Sequence, residues 1–154
     1  MSDNNITCEE IMTLKQVKRK CKNKNIPEKI TSSFTLAQWL SKLIGNECQE
    51  HLLVICLDTK NQINSYSTVT VGSLNQSIAH PRDILQRALL SNAARIAIAH
   101  NHPSGSPIPS KNDDDFTLRM KEVCSLIGID LLDHIVVTDS NSYYSYREEK
   151  RVLQ

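Results

Sequence analysis

The residues best suited to chemistry lie close together in the chain: His100-Asn101-His102, seven intervening residues, then Ser110-Lys111-Asn112-Asp113. On extended backbone, side chains two positions apart share a face, so His100 and His102 point the same way at the end of ARIAIAH. The loop NHPSGSPIPS, with three prolines and a glycine, turns the chain back, and Asp113 falls in the first turn of the next helix. Two imidazole nitrogens and one carboxylate oxygen, with a fourth place left for water, form the donor set of a hydrolytic zinc site. Zinc brings the pKa of such a water to about 7, which makes hydroxide available at neutral pH.

Each piece has a plainer reading. Ser110-x-x-Asp113 is also the spacing of a helix cap with an acidic residue three positions later. Both readings hold together, since the cap fixes the helix start and the helix start fixes Asp113. A lone His-x-His is more often structural than ligating. The whole string H-x-H-P-x-G-x-x-x-P-S-x-x-D is far harder to reach by chance.

The elements that must position these residues are legible in the hydrophobic pattern. SSFTLAQWLSKLIG reads as an amphipathic helix opened by Ser32 or Ser33 and closed at Gly45. EHLLVICLD is a short apolar run suited to a buried strand, TKNQ turns the chain, and INSYSTVTVG alternates as the second strand of a hairpin. Pro81 opens a helix over PRDILQRALLSN. ARIAIAH is a buried strand, KNDDDFTLRMKEVCSLIG a helix ended by Gly128, IDLLDHIVVTD a strand, and NSYYSYRE a turn with a last short strand. The order predicts an α/β (α+β) fold, a mixed β-sheet flanked by helices.

Composition excludes several classes. The 154 residues suit one domain, and 40% hydrophobic with 23% charged residues is ordinary for a globular protein. A net charge of +1 gives no footprint of a dedicated nucleic-acid binder. The five cysteines form no C-x-x-C pair, and the N-terminus MSDNNITCEE is polar and acidic rather than a signal peptide. Apolar runs are strand-length, so no membrane span is expected, and a cytoplasmic location with reduced thiols is the expectation. Residues 1–30 read as a basic N-terminal extension to a domain over 31–154. Its Lys15, Lys18, Arg19, Lys20, Lys22 and Lys24 are either a solvated arm or contacts for a phosphate backbone.

The string HNHPSGSPIPSKND resembles the motif of the JAB/JAMM (MPN+) metalloprotease fold, and more closely its RadC-like branch. QEHLLVICLDTKNQI, the stretch from VGSLNQS to HNHPSG, and LLDHIVVTDSNSYYSYRE are similar to further parts of that family, so the likeness runs from about residue 35 to about residue 150. It implies a cytidine-deaminase-like, JAMM (MPN+) architecture in a stand-alone form without the family's helix-hairpin-helix region. It also implies one zinc held by His100, His102 and Asp113, and a catalytic glutamate, which the family carries on an early strand, at Glu50. A carboxylate beside a metal site takes a proton from water and returns it to the leaving group. Ser110 matches the motif serine, whose hydroxyl donates to the oxyanion formed at the attacked carbonyl.

The remaining polar residues carry less. His80, before a helix, and His134, in a strand, have counterparts in the family. Each is read first as a satisfied structural histidine and second as an orienter of the site. His51, next to Glu50, faces away from it on a strand. Asp114 and Asp115 suit the helix dipole rather than a metal, and Tyr143, Tyr144 and Tyr146 close the last strands. Three functions follow: a zinc hydrolase acting on an amide, peptide or isopeptide bond of an unidentified peptide or protein; a metal-dependent nuclease or DNA-processing protein, in keeping with the family's association with DNA repair; and a binding module with structural zinc. The oligomeric state is not legible.

Overall fold

A computed structural model describes residues 25–72 and 79–153. Along these run α1 (Ser33–Ile44), β1 (His51–Leu57), β2 (Ile63–Val71), α2 (Pro81–Leu90), β3 (Arg95–Asn101), α3 (Lys111–Ile127), β4 (Asp130–Val137) and β5 (Tyr143–Ser145). The basic candidates Lys15, Lys18, Arg19, Lys20, Lys22 and Lys24 lie outside the described residues.

Local chemistry sets the helix bounds. Ser32 caps α1 by accepting the Thr35 N–H at 3.1 Å. His80 caps α2, its Nδ1 accepting from the Arg82 N–H at 3.2 Å with Pro81 behind it. Ser110 and Asp113 form a reciprocal capping box on α3, and Gly128 ends that helix in the left-handed conformation at φ 74°.

The strands form one sheet in the order β2-β1-β3-β4-β5. Only β3 and β4 are parallel, joined across α3; β1–β2, β1–β3 and β4–β5 are antiparallel. The central strands β1, β3 and most of β4 are buried on both faces, which is why they read as unbroken apolar runs rather than as alternating ones. Strand alternation divides the core. Leu53, Ile55, Ala97, Ala99, Ile135 and Val137 pack against α1. Leu52, Val54, Cys56, Ile96 and Ile98 pack against α2 and α3. The small residues of ARIAIAH therefore lie under α1. Continued along β3, the same parity sends His100 toward α3 and Asn101 toward α1.

The edge strand β2 is partly exposed and alternates, as expected for a strand with one solvated face. Among the described residues no helix is long and apolar enough to cross a membrane.

Gly45, at the end of α1, touches the strand layer at backbone distance. A Cβ there would lie 2.4 Å from the Ser41 carbonyl oxygen and 2.6 Å from that of Thr138, neither a flexible group. Gly45→Ala is expected to destabilise the fold by about 1–3 kcal/mol through overpacking, measured by urea denaturation, with the midpoint falling and the slope unchanged.

Candidate metal centre

Three elements meet at the site: the end of β3 brings His100, the loop after it His102, and the first turn of α3 Asp113. His100 is fully buried and Asp113 nearly so, while His102 stands at the edge of an open cleft of about 590 Å³. His100 Nε2 lies 3.0 Å from His102 Nε2 and 3.4 Å from Asp113 Oδ1, and His102 Nε2 lies 3.7 Å from Asp113 Oδ2. Ligand atoms about 2.0–2.2 Å from a tetrahedral zinc are about 3.3–3.6 Å from one another, so the three donors have the spacing a single ion requires.

The hydrogen bonds behind the ligands fix their tautomers. The Ser106 carbonyl lies 2.8 Å from His102 Nδ1 and can only accept, so that nitrogen carries the proton. For His100 the argument runs through two further side chains. The Thr117 hydroxyl donates to the Asp113 main-chain carbonyl at 2.6 Å, so its hydrogen is committed there. Thr117 Oγ1 therefore accepts from His134 Nδ1 at 2.6 Å. This leaves His134 Nε2 as the acceptor for His100 Nδ1–H at 2.8 Å. Both facing nitrogens, His100 Nε2 and His102 Nε2, are thus left with lone pairs in their neutral forms. Two lone pairs at 3.0 Å repel each other unless a proton or a cation lies between them, and with Asp113 the two rings could hold a metal ion.

Electrostatics agree. Burial pushes the His100 imidazole down to about 4, with the Asp113 charge opposing and the His102 charge reinforcing the fall. Burial likewise holds His134 well below the usual histidine range, so it remains a neutral relay. His102 is raised, first by its hydrogen bond with Asp113, against a smaller penalty from burial. Burial favours a protonated Asp113, but the hydrogen bonds with His102 and Ser110 and the charge of His100 outweigh it and keep the carboxylate ionised. Acid therefore acts on the site first at His102, where a proton competes with a metal ion.

The capping box orients the third ligand. Asp113 Oδ2 accepts from the Ser110 N–H at 2.7 Å and from the Ser110 hydroxyl at 2.6 Å, while Oδ1 faces His100. Glu50 and Ser110 both line the cleft with His102 and Asp113. In β1, Leu52, Val54 and Cys56 face α2 and α3, and the same parity places Glu50 on the side of the histidines and His51 on the other. His51 lies 3.7 Å from Glu47.

His134, read from the sequence first as structural, is the hydrogen-bond partner of a candidate ligand. Its ring also stacks on Tyr146, at 5.0 Å between centroids and 8° between planes. Tyr146 is fully buried beyond the end of β5, and its hydroxyl donates to Asp114 at 2.8 Å. Asp114 also pairs with Arg151, so it is held on the far side of α3's first turn rather than serving as a ligand. The signals for this layer were Asp133-His134 in an apolar strand and Thr117 four residues after Asp113. Neither is decisive without the pairing of Ile98 with His134, which brings β4 beside β3.

Thr117→Val keeps the shape of the side chain and removes the acceptor that fixes His134. Zinc affinity is expected to fall about 10–100-fold, measured by competition with a chromophoric chelator, while the melting transition of the metal-free protein stays cooperative.

A protein-family profile described as RadC-like JAB domain matches residues 30–151. Among curated relatives, a "UPF0758 protein" of Enterococcus faecalis (strain ATCC 700802 / V583) is 53% identical over 121 residues, 79% of this chain and 52% of the relative. Another of the same name, from Streptococcus sanguinis (strain SK36), is 47% identical over 126 residues, 82% of this chain and 55% of the relative. The chain spans about half the length of these relatives. With the match covering most of its length and a His-His-carboxylate cluster at the motif, the chain belongs to the RadC-like JAB domain family.

Proposed function

We propose that this domain is a zinc-dependent hydrolase of the JAMM type, acting on an amide, peptide or isopeptide bond. The observation that carries the reading is the pair of facing histidine nitrogens closed by an ionised Asp113, on the wall of an open cleft that also holds Glu50 and Ser110. The ligand chemistry, two imidazoles and one carboxylate, suits zinc with a position to spare.

When bound, zinc supplies Lewis acidity, enough to bring the pKa of water to about 7. The protein's own groups do the rest. Glu50 accepts the proton of the attacking water and returns it to the leaving nitrogen. Ser110 donates to the oxygen that gains charge at the carbonyl. To do so its hydroxyl turns from Asp113 Oδ2, which keeps the Ser110 N–H. His134 and Thr117 hold His100 in the ligating tautomer throughout. A reducing cytoplasm fits the free thiols Cys48, Cys56 and Cys124.

A second reading, metal-dependent cleavage or processing of DNA, rests on the basic run from Lys15 to Lys24. A third keeps zinc but assigns it only a structural role. Glu50→Gln separates enzyme from binding module. It is expected to keep zinc and to lower hydrolysis of a fluorogenic peptide and isopeptide panel by at least about 100-fold. Unchanged turnover would contradict the role of Glu50. Cleavage of oligonucleotides but of no amide, with binding that weakens steeply with salt, would favour the second reading.

A further inference from the structure

We propose that Asn101, the residue between the two histidines, is a positioning residue for Glu50, an inference that rests on the reading of Glu50 as the proton carrier. Asn101 is fully buried, and strand parity turns its side chain to the α1 face, away from the candidate metal ligands. Its amide reaches sideways to the segment that carries Glu50. Oδ1 accepts the His51 N–H at 2.7 Å, and Nδ2 donates to the carbonyls of Gln49 at 3.0 Å and Glu47 at 3.2 Å. One side chain thus grips the backbone immediately before and immediately after Glu50.

The grip is needed at this place. Residues 46–49 are exposed and lie outside regular structure, and β1 begins only at His51. The antiparallel ladder between β1 and β3 runs from Leu57–Arg95 to Leu52–His100. Two more steps in that register would set Glu50 opposite His102, but main-chain pairing stops short of it. The Asn101 amide takes over where the ladder ends, and on the other side the Gly72 N–H donates to the Glu50 carbonyl at 2.9 Å. Glu50 is therefore fixed through its backbone from both neighbouring strands, and its side chain is left to face the cleft. Asparagine alone among small side chains offers an acceptor and two donors in one plane; aspartate keeps the acceptor and loses both donors. Because the group is buried, its removal leaves main-chain polar atoms without partners. His100-Asn101-His102 then has two outputs from one strand end: the histidines toward the metal on one face, and the asparagine toward the proton carrier on the other.

The test compares Asn101→Ala, Asn101→Asp and Glu50→Gln. Zinc affinity of the Asn101 variants is expected within about threefold of wild type, since all three ligands remain. The second readout is the visible spectrum of the cobalt(II)-loaded protein, whose pH-dependent change reports ionisation beside the metal. Its midpoint is expected to move by about half a pH unit or more in the Asn101 variants as well as in Glu50→Gln. A midpoint moved by Glu50→Gln but not by the Asn101 variants overturns the positioning role while leaving the role of Glu50 standing. A midpoint unmoved by all three overturns both. Loss of zinc affinity well beyond threefold in the Asn101 variants also overturns the proposal, because Asn101 would then be acting on the ligands. Should neither Asn101 variant fold, hydrogen exchange at the His51 amide of the wild-type protein decides. Protection like that of interior β1 amides supports the grip, and exchange as fast as at exposed Cys48 overturns it.

Discussion

Two imidazole nitrogens face each other at 3.0 Å with their protons assigned to the far side of each ring. Everything else at this end of the molecule is arranged around that contact. It is unfavourable by itself and becomes favourable with a cation between the rings and a carboxylate beside them. The carboxylate is Asp113, kept ionised although it is nearly buried. The price in desolvation is met by hydrogen bonds that also start α3, so the helix cap and the candidate metal site are one structure.

The sheet gives this contact its rigidity. β3 is the middle strand of five and is buried on both faces. Its last residues therefore inherit the position of a packed core rather than of a loop. Alternation then sends His100 toward α3 and Asn101 toward α1. Parallel pairing with β4 sets His134 beside His100, and Tyr146 stacks on His134 to fill the space behind it. The relay ends at Thr117, one helical turn after Asp113, so His100 is tied through His134 to the same helix whose first turn carries Asp113. A neutral histidine held by burial is a good relay because its tautomer cannot be scrambled by a second proton.

Much of this was legible in the sequence because it is local. The bounds of α1 follow from Ser32 and Gly45, and α3 from Ser110 and Gly128. His100, His102 and Asp113 lie close enough in the chain for strand parity and one helix start to bring them together. Glu50 is different: it sits fifty residues before His100, and only the likeness to a known family pointed to it. The pairing of Leu52 with His100 is what places it, and no local pattern contains that pairing. The place of His134 beside His100 is not legible for the same reason, since a parallel neighbour across a helix leaves no trace in spacing. Ser110 is legible in two roles, and the geometry gives its hydroxyl first to Asp113. The contacts of Asn101 are not legible either, because they run to residues 47–51 across the sheet and alternation says only which face it takes.

The central claim is that the facing histidines and Asp113 are a metal site, and the zinc content of the purified, folded protein tests it most directly. Elemental analysis is predicted to find about one zinc per chain in the wild type and far less in His102→Ala at matched folding. Absence of metal from the wild type after incubation with excess zinc would contradict the account, because the two lone pairs at 3.0 Å would then have to be reconciled by a shared proton alone.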